Sequence, residues 1–196
     1  PFRPYRVGPF LFIHAFVLHE TAPRALSLAT MLSAMPRAAA FALLVGLAAA
    51  IDVTVTFPTR PGYPSGTILL SQLTAAAELT ITTNLAGLEA AGNSWHVHVT
   101  PTVDAGGADA ECGSGVTGGH FDPAFVTGRV TPVPGTQTTY EVGDFAGKHG
   151  KLGLAPGAAP TTDTQVYVDQ TASLFPGSVD KPSILGRSIV IHKASG

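Results

Sequence analysis

The sequence has few of the residues from which several common functional sites are built. It contains one cysteine, Cys112, so no second cysteine is present to complete a zinc-finger spacing. Charged residues make up only 12% of the chain. N-x-S/T glycosylation sequons are also absent, because Asn84 and Asn93 lack a serine or threonine two residues later. A candidate site must therefore be sought among the histidines and the few carboxylates.

Positive charge is also scarce, and it is concentrated at the start of the chain. Residues 1–50 carry four arginines against one glutamate, whereas residues 51–196 carry seven basic residues against twelve acidic residues. The main part of the chain is mildly acidic and offers no basic surface for nucleic acid or anionic lipid. We therefore expect no nucleic-acid partner.

The first fifty residues have the character of a leader. Residues 35–50, "MPRAAAFALLVGLAAA", combine one basic residue, an apolar run and small residues at the end. This pattern is typical of a secretory signal peptide and is too short to span a bilayer comfortably. An uncleaved anchor helix is the alternative. We predict secretion, with cell-surface attachment left open, no membrane span after cleavage, and a folded domain over residues 51–196.

The predicted domain reads as β-structure almost throughout. The 22 glycines and 16 prolines predict many turns, and the hydrophobic fraction of 45% is ample for a core. "IDVTVTF" alternates strictly, and six further runs rich in Val, Ile, Thr and Tyr follow: "GTILLSQL", "AELTITTNL", "SWHVHVT", "TTYEV", "TQVYVDQ" and "RSIVIHK". The pattern predicts an antiparallel sandwich or barrel. One glycine-rich interval, residues 101–136, is too long for a hairpin connection and is either functional or disordered.

The histidines are the candidate ligands. His96 and His98 stand two apart in one predicted strand, so their side chains share a face roughly 6.6–7 Å apart along the strand. His120 lies in the long loop and His192 in the last strand. A histidine in a strand is more often a hydrogen-bonded core residue than a ligand, so spacing alone leaves both interpretations open.

Four motifs make one interpretation specific. "WHVHV", "CGSGVTGGHFDP", "YEVGDFAGKHG" and "SILGRSIVIH" occur in the order of motifs in the copper/zinc superoxide dismutase family, which this sequence resembles over about residues 51–196. The resemblance implies a Greek-key β-barrel and superoxide as the substrate. It also implies copper bound by four histidines: His96, His98, His120 and His192.

The sequence departs from the zinc-containing members of that family. No histidine lies between His120 and the "VGD" motif, and the position before that motif is Glu141. Only His120 and Asp144 remain of the zinc set, too few for a site that needs four protein donors. The resemblance thus points to the extracellular, copper-only branch, with zinc unlikely. We expect Glu141 to accept the outer ring N–H of His120, with Asp144 behind it.

The resemblance also assigns a role to Cys112 and raises a question about the chain's end. In the family, three features follow the last copper histidine, His192 here, by more residues than this sequence contains. They are the cysteine that pairs with Cys112, the last barrel strand and the arginine beside copper. We therefore expect a barrel that lacks its last strand. Arg187 resembles a structural arginine of the family, and His149 is expected to be a loop residue or to support a ligand.

The expected activity is dismutation of superoxide to dioxygen and hydrogen peroxide, with His120 as proton donor. Two alternatives remain. One is a secreted copper-binding or copper-buffering module without turnover, and the other is a β-sandwich surface domain with incidental histidines. Copper stoichiometry and superoxide decay distinguish the three.

Overall fold

The computed structural model describes residues 50–102, 112–124, 136–154, 161–176 and 181–193, together with the backbone of residues 12 and 13. Eight strands lie in this part of the chain, and they all pair antiparallel. In chain order they are β1 (Phe12–Ile13), β2 (Ile51–Phe57), β3 (Ser65–Gln72), β4 (Leu79–Ala86), β5 (Trp95–His98), β6 (Thr162–Asp163), β7 (Val166–Asp169) and β8 (Ser188–His192).

The strands form two sheets. In the larger sheet, β2, β3 and β4 are consecutive neighbours, and both β6 and β7 pair with β4. The smaller sheet has the order β1-β8-β5. Strand β5 pairs with β8 rather than with its neighbours in sequence, β4 and β6. Between β5 and β8 the chain therefore passes from the smaller sheet to the larger sheet and back. The predicted all-β, antiparallel fold is confirmed.

Strand periodicity places the core. In β2, Val53 and Phe57 are buried while Thr54 and Thr56 lie on the outer side, as the alternation of "IDVTVTF" predicts. The core combines residues of both sheets with the segments that connect them. Its largest fully buried hydrophobic side chains are Trp95, Phe57, Phe145, Ile68, Leu79, Ile81, Leu85, Leu152, Leu174 and Ile191.

Helical structure among the described residues is limited to three short pieces. They are α1 (Ser114–Thr117), a 3-10 helix (Gln137–Thr139) and α2 (Phe145–His149). The prediction of a strand at "TTYEV" is wrong. The Gln137 amide donates to the Val168 carbonyl at 2.9 Å and accepts from the Gln170 N–H at 2.8 Å, so side-chain bonds to the end of β7 fix this segment.

None of these helices is long and apolar enough to cross a membrane. Apart from Ala50, the predicted signal segment at residues 35–50 lies outside the described residues. Secretion and the leader boundary therefore stay predictions.

Candidate metal centre

Strand β5 separates a core face from a histidine face. Trp95 and Val97 are 0% and 1% exposed and lie in the hydrophobic core. His96 and His98 alternate with them and therefore point to the opposite side of the sheet. Because Trp95 and Val97 are held in the core, the alternation of the strand fixes the direction of both imidazoles.

Strand β8 brings a third histidine beside this pair. The His192 N–H donates to the Ser94 carbonyl at 2.7 Å, which continues the antiparallel ladder between β8 and β5. Residues opposite each other in such a ladder share a face, and Ser94 has the same alternation as His96. His192 therefore lies next to His96, with ring centroids 4.7 Å apart.

The long connection after β5 supplies the fourth histidine. His120 forms an isolated antiparallel bridge with His98. The next residue, Phe121, donates its N–H to the Val97 carbonyl at 2.8 Å. These bonds lay a short piece of the loop along β5, so that His120 faces the same side as the strand histidines.

The backbone of Gly143 locks this arrangement. Its carbonyl accepts the Val97 N–H at 2.8 Å, and its N–H donates to the Phe121 carbonyl at 2.7 Å. A Cβ atom here would lie 2.3 Å from the Val97 oxygen and 2.9 Å from the Phe121 nitrogen. Only glycine lets the "VGD" turn approach both segments this closely.

The four histidines converge on one point. One ring nitrogen from each can be chosen so that all four atoms lie within 4.8 Å of one another. Within the ranges that the structure describes, this is the single group of three or more potential metal ligands found. Its members are His96, His98, His120 and His192.

Two carboxylates from the turn after the 3-10 helix fix two of these rings. Glu141 Oε2 lies 2.5 Å from His120 Nδ1, and Asp144 Oδ1 lies 3.4 Å from His96 Nε2. A carboxylate accepts only, so each contacted nitrogen carries the proton. Asp144 also accepts the Gly147 N–H at 2.7 Å and caps α2.

The loop backbone fixes a third ring. His98 Nδ1 lies 3.0 Å from the Gly118 carbonyl, which makes Nδ1 the protonated nitrogen. The remaining nitrogens, His98 Nε2 and His96 Nδ1, are buried without a hydrogen-bond partner in the described part of the chain. Buried polar atoms are normally satisfied, so two unprotonated nitrogens aimed into one cluster fit a bound cation.

Burial favours the neutral form of three rings, those of His96, His98 and His192. It lowers the pKa of His96 and of His98, and in each case the hydrogen bond to Asp144 or Gly118 offsets only part of this effect. Burial and the neighbouring histidines lower the pKa of His192 to about 3. Neutral imidazoles present lone pairs at pH 7, which is the state that binds metal.

The pKa of Asp144 moves in the direction that supports this pairing. Burial by itself raises it, but the hydrogen bonds from His96 and the Gly147 N–H outweigh burial and hold the pKa below its ordinary value. Asp144 is therefore a carboxylate that can orient His96.

Three other candidate residues lie outside the cluster. His149 ends α2, with Nε2 2.9 Å from Asp169 Oδ2, and contacts none of the four rings at the cluster. Arg187 places its guanidinium 3.5 Å from the centre of the Phe121 ring. Cys112 is buried, and its backbone carbonyl accepts a bond from Thr117 Oγ1.

Sequence reasoning did not identify the contact of Asp144 with His96 or the backbone role of Gly143. The glycine of the "VGD" motif was the available signal, because a glycine lets the backbone approach a neighbouring segment closely. Which ring a helix-capping carboxylate contacts has no signal in the sequence, because it depends on where β5 lies.

Comparison with known proteins agrees with this geometry. The sequence profile described as copper/zinc superoxide dismutase (SODC) matches residues 64–195, more than half of the chain. The structure of superoxide dismutase 5 from Candida albicans, in a glutamate-to-alanine mutant form, is similar with a TM-score of 0.57 and 27% sequence identity. That match covers 74% of this chain and 82% of the other. No curated protein sequence matches the chain.

Proposed function

Because the chain belongs to the copper/zinc superoxide dismutase family, with a β-sandwich of that type, we propose that it is a secreted, copper-dependent superoxide dismutase. One observation carries the proposal. Four histidine nitrogens lie within 4.8 Å of one another, and hydrogen bonds to Glu141, Asp144 and Gly118 turn the rings so that unprotonated nitrogens face inward.

The donor set favours copper as the metal. Four imidazole nitrogens suit Cu(II) and also permit Cu(I), whereas hard cations prefer oxygen ligands. His96, His98, His120 and His192 would hold the ion. Asp144 and Glu141 are each engaged with one of these rings, which supports a copper site without a neighbouring zinc.

The reaction converts two superoxide anions and two protons into dioxygen and hydrogen peroxide. When bound, copper supplies the one-electron oxidation and reduction that carry an electron from one superoxide to the next. The chain supplies position and protons. Glu141 accepts a hydrogen bond from the Nδ1–H of His120, which leaves Nε2 as the atom that would bind the metal or, when free of it, take up a proton and pass it to the peroxide product.

His96, His98 and His192 have a different role from His120. They stand on two paired strands and are anchored by ladder hydrogen bonds, whereas His120 stands on a loop segment that joins β5 through the His98–His120 bridge. The three strand histidines would keep the metal in place, and His120 would be the ring that exchanges a proton. Secretion is supported by the signal-like segment at residues 35–50.

The proposal is tested by measuring metal content and superoxide decay on the same purified protein. After exposure to copper and zinc together and removal of unbound metal with a chelator, we expect about one copper, no stoichiometric zinc, and superoxide decay that persists while the chelator is present. Copper without decay would identify a copper-binding module instead. Tightly held zinc beside the copper would contradict the copper-only assignment.

A further inference from the structure

A lysine lies fully buried behind the candidate metal centre. The Lys148 ammonium is 2.5 Å from Asp169 Oδ2, and both side chains are 0% exposed. It also donates to the Val142 carbonyl at 2.8 Å and to Thr171 Oγ1 at 2.9 Å. An ammonium has three N–H donors, and these three acceptors use all of them.

One of these acceptors belongs to the turn that carries the two carboxylates of the site. Val142 lies between Glu141 and Asp144, and the Asp144 N–H closes the turn on the Glu141 carbonyl at 3.0 Å. Lys148 itself stands in α2, one turn after the Asp144 cap, and its N–H donates to the Asp144 carbonyl at 3.1 Å. The lysine therefore holds the turn through both its backbone and its side chain.

The other end of the ion pair is rigid and belongs to the second sheet. Asp169 is the last residue of β7, which pairs with β4 in the larger sheet. Its second oxygen accepts the N–H groups of Thr171 and Ala172, both at 2.8 Å. The Lys148–Asp169 pair thus ties the carboxylate turn beside β5 to a fixed point in the opposite sheet.

Stability alone does not account for a charge at this place. Removing an ammonium and a carboxylate from water is costly, and well-packed apolar side chains of similar volume often serve as well or better. An apolar residue, however, could not donate a hydrogen bond to the Val142 carbonyl and so could not fix the position of the turn relative to the larger sheet. The three directed bonds define a position, which hydrophobic packing defines less sharply.

We propose that Lys148, anchored by Asp169, is a positioning residue that sets the Glu141–Asp144 turn and thereby the orientation of the His120 and His96 rings. Any effect of Lys148 on turnover rests on the proposed dismutase function. Its effect on the orientation of the histidine rings does not. Lys148 touches no ligand ring in this arrangement and acts through the two carboxylates.

The test compares three variants with the parent. Lys148→Met removes the ammonium, and Lys148→Met with Asp169→Asn removes both charges of the pair. Thr171→Val removes the hydroxyl that accepts from Lys148 at 2.9 Å and donates to Asp169 Oδ1 at 3.1 Å. Ile68→Ala, a core substitution in β3 with no bond to the turn, is the control for general loss of stability. Ring 15N chemical shifts of His96 and His120 are measured in metal-free protein, and the Cu(II) EPR spectrum in loaded protein.

We expect altered His96 and His120 ring shifts and an altered EPR spectrum in both lysine variants, and a smaller change of the same kind in Thr171→Val. Copper affinity should fall about 10-fold or more, as is typical when groups that orient ligands are lost. Ile68→Ala should leave the ring shifts unchanged. If Lys148→Met does not fold, the double variant and Thr171→Val decide.

Ring shifts identical to the parent in the folded variants would overturn the proposal, as would equal shifts in Ile68→Ala. The metal-free measurement does not depend on turnover. If the parent binds copper without dismutation, the proposed function fails while the ring shifts still decide the role of Lys148.

Discussion

A single hydrogen bond determines the chemistry assigned to His120. Because Glu141 Oε2 lies 2.5 Å from His120 Nδ1, the His120 ring cannot rotate by 180° without breaking its hydrogen bond to a carboxylate. The other nitrogen is thereby directed to the cluster. The Gly118 carbonyl binds His98 Nδ1 in the same way and directs His98 Nε2 to the cluster. A side-chain acceptor and a main-chain acceptor therefore orient two neighbouring rings.

Glu141→Ala should lower turnover roughly 10–100-fold, the usual cost of losing a group that orients a ligand. The physical reason is that the His120 ring becomes free to rotate and delivers its proton from poorer geometry. Copper affinity should fall less than turnover, because the three strand histidines keep their orientation without Glu141. Superoxide decay and copper affinity are measured across a range of pH.

The control for this change is Glu78→Ala, since Glu78 is an exposed glutamate at the turn before β4. It should alter neither quantity. Unchanged turnover in Glu141→Ala would mean that the carboxylate is only a neighbouring charge.

Among the histidines, those on the strands should matter most for metal retention. We expect His96→Ala, His98→Ala or His192→Ala to weaken copper binding strongly, since each removes one of four donors. His149→Ala should have little effect, because His149 bonds Asp169 on the far side of the turn. Competition with a chelator gives the affinities, and equal losses for all four variants would show that the ligands are assigned wrongly.

At the level of elements, β5 is the part on which the centre is built. It is four residues long, and its partners are β8 through the ladder, the His120 segment, and the Gly143 turn. The two segments meet at Val97, whose N–H and carbonyl are bonded by Gly143 and Phe121 respectively. A core residue thus holds both loops of the site through its backbone.

Gly143→Ala should therefore damage the fold and the metal site together. The added methyl would meet the Val97 oxygen at 2.3 Å, and backbone atoms can move only by separating the segments. We expect a loss of about 1–3 kcal/mol in unfolding free energy, typical of overpacking, and weaker copper binding. Gly115→Ala, where a methyl meets no atom within 4 Å, is the matched control.

Urea unfolding and copper titration of both variants provide the measurement. A Gly143→Ala protein as stable as the parent would show that the turn can move away without cost.

For the whole molecule, bringing neutral histidines together makes folding depend on pH. Burial lowers the folded-state pKa of His96, His98 and His192. The unfolded chain therefore binds protons more readily than the folded one. Stability is fully present above the unfolded pKa and is lost as pH falls toward the folded pKa.

The metal-free protein should accordingly lose stability as pH falls from 6.5 toward about 3, the unfolded and folded values for His192. The upper part of this window is diagnostic, because ordinary carboxylates are still ionised there. Urea unfolding between about pH 7 and pH 5 measures the effect. His192→Gln should show a shallower dependence than the parent, and an equally steep one would mean that folding does not lower the pKa of His192.

The sequence predicted more of the strands than of the segments that connect them. "IDVTVTF" and "SIVIH" carry their own alternation, and both are strands in the structure. "TTYEV" is also rich in β-branched and aromatic residues but is not a strand, because the preceding Gln137 side chain binds the end of β7. Lys148 has the sequence context of an exposed helix-end lysine, but the tertiary structure buries its side chain beside Asp169 of β7.

What the sequence by itself determined is which residues could serve and which face each strand turns inward. Alternation with period two places His96 and His98 together, and the motif order predicts the family to which the chain belongs. Only the tertiary structure decided that one nitrogen from each of four histidines lies within 4.8 Å of the others, that Asp144 faces His96, and that the Lys148 side chain is buried beside Asp169. The reason is that these contacts join segments far apart in the chain. Their distances depend on how two sheets and a loop pack, and no local pattern encodes that packing.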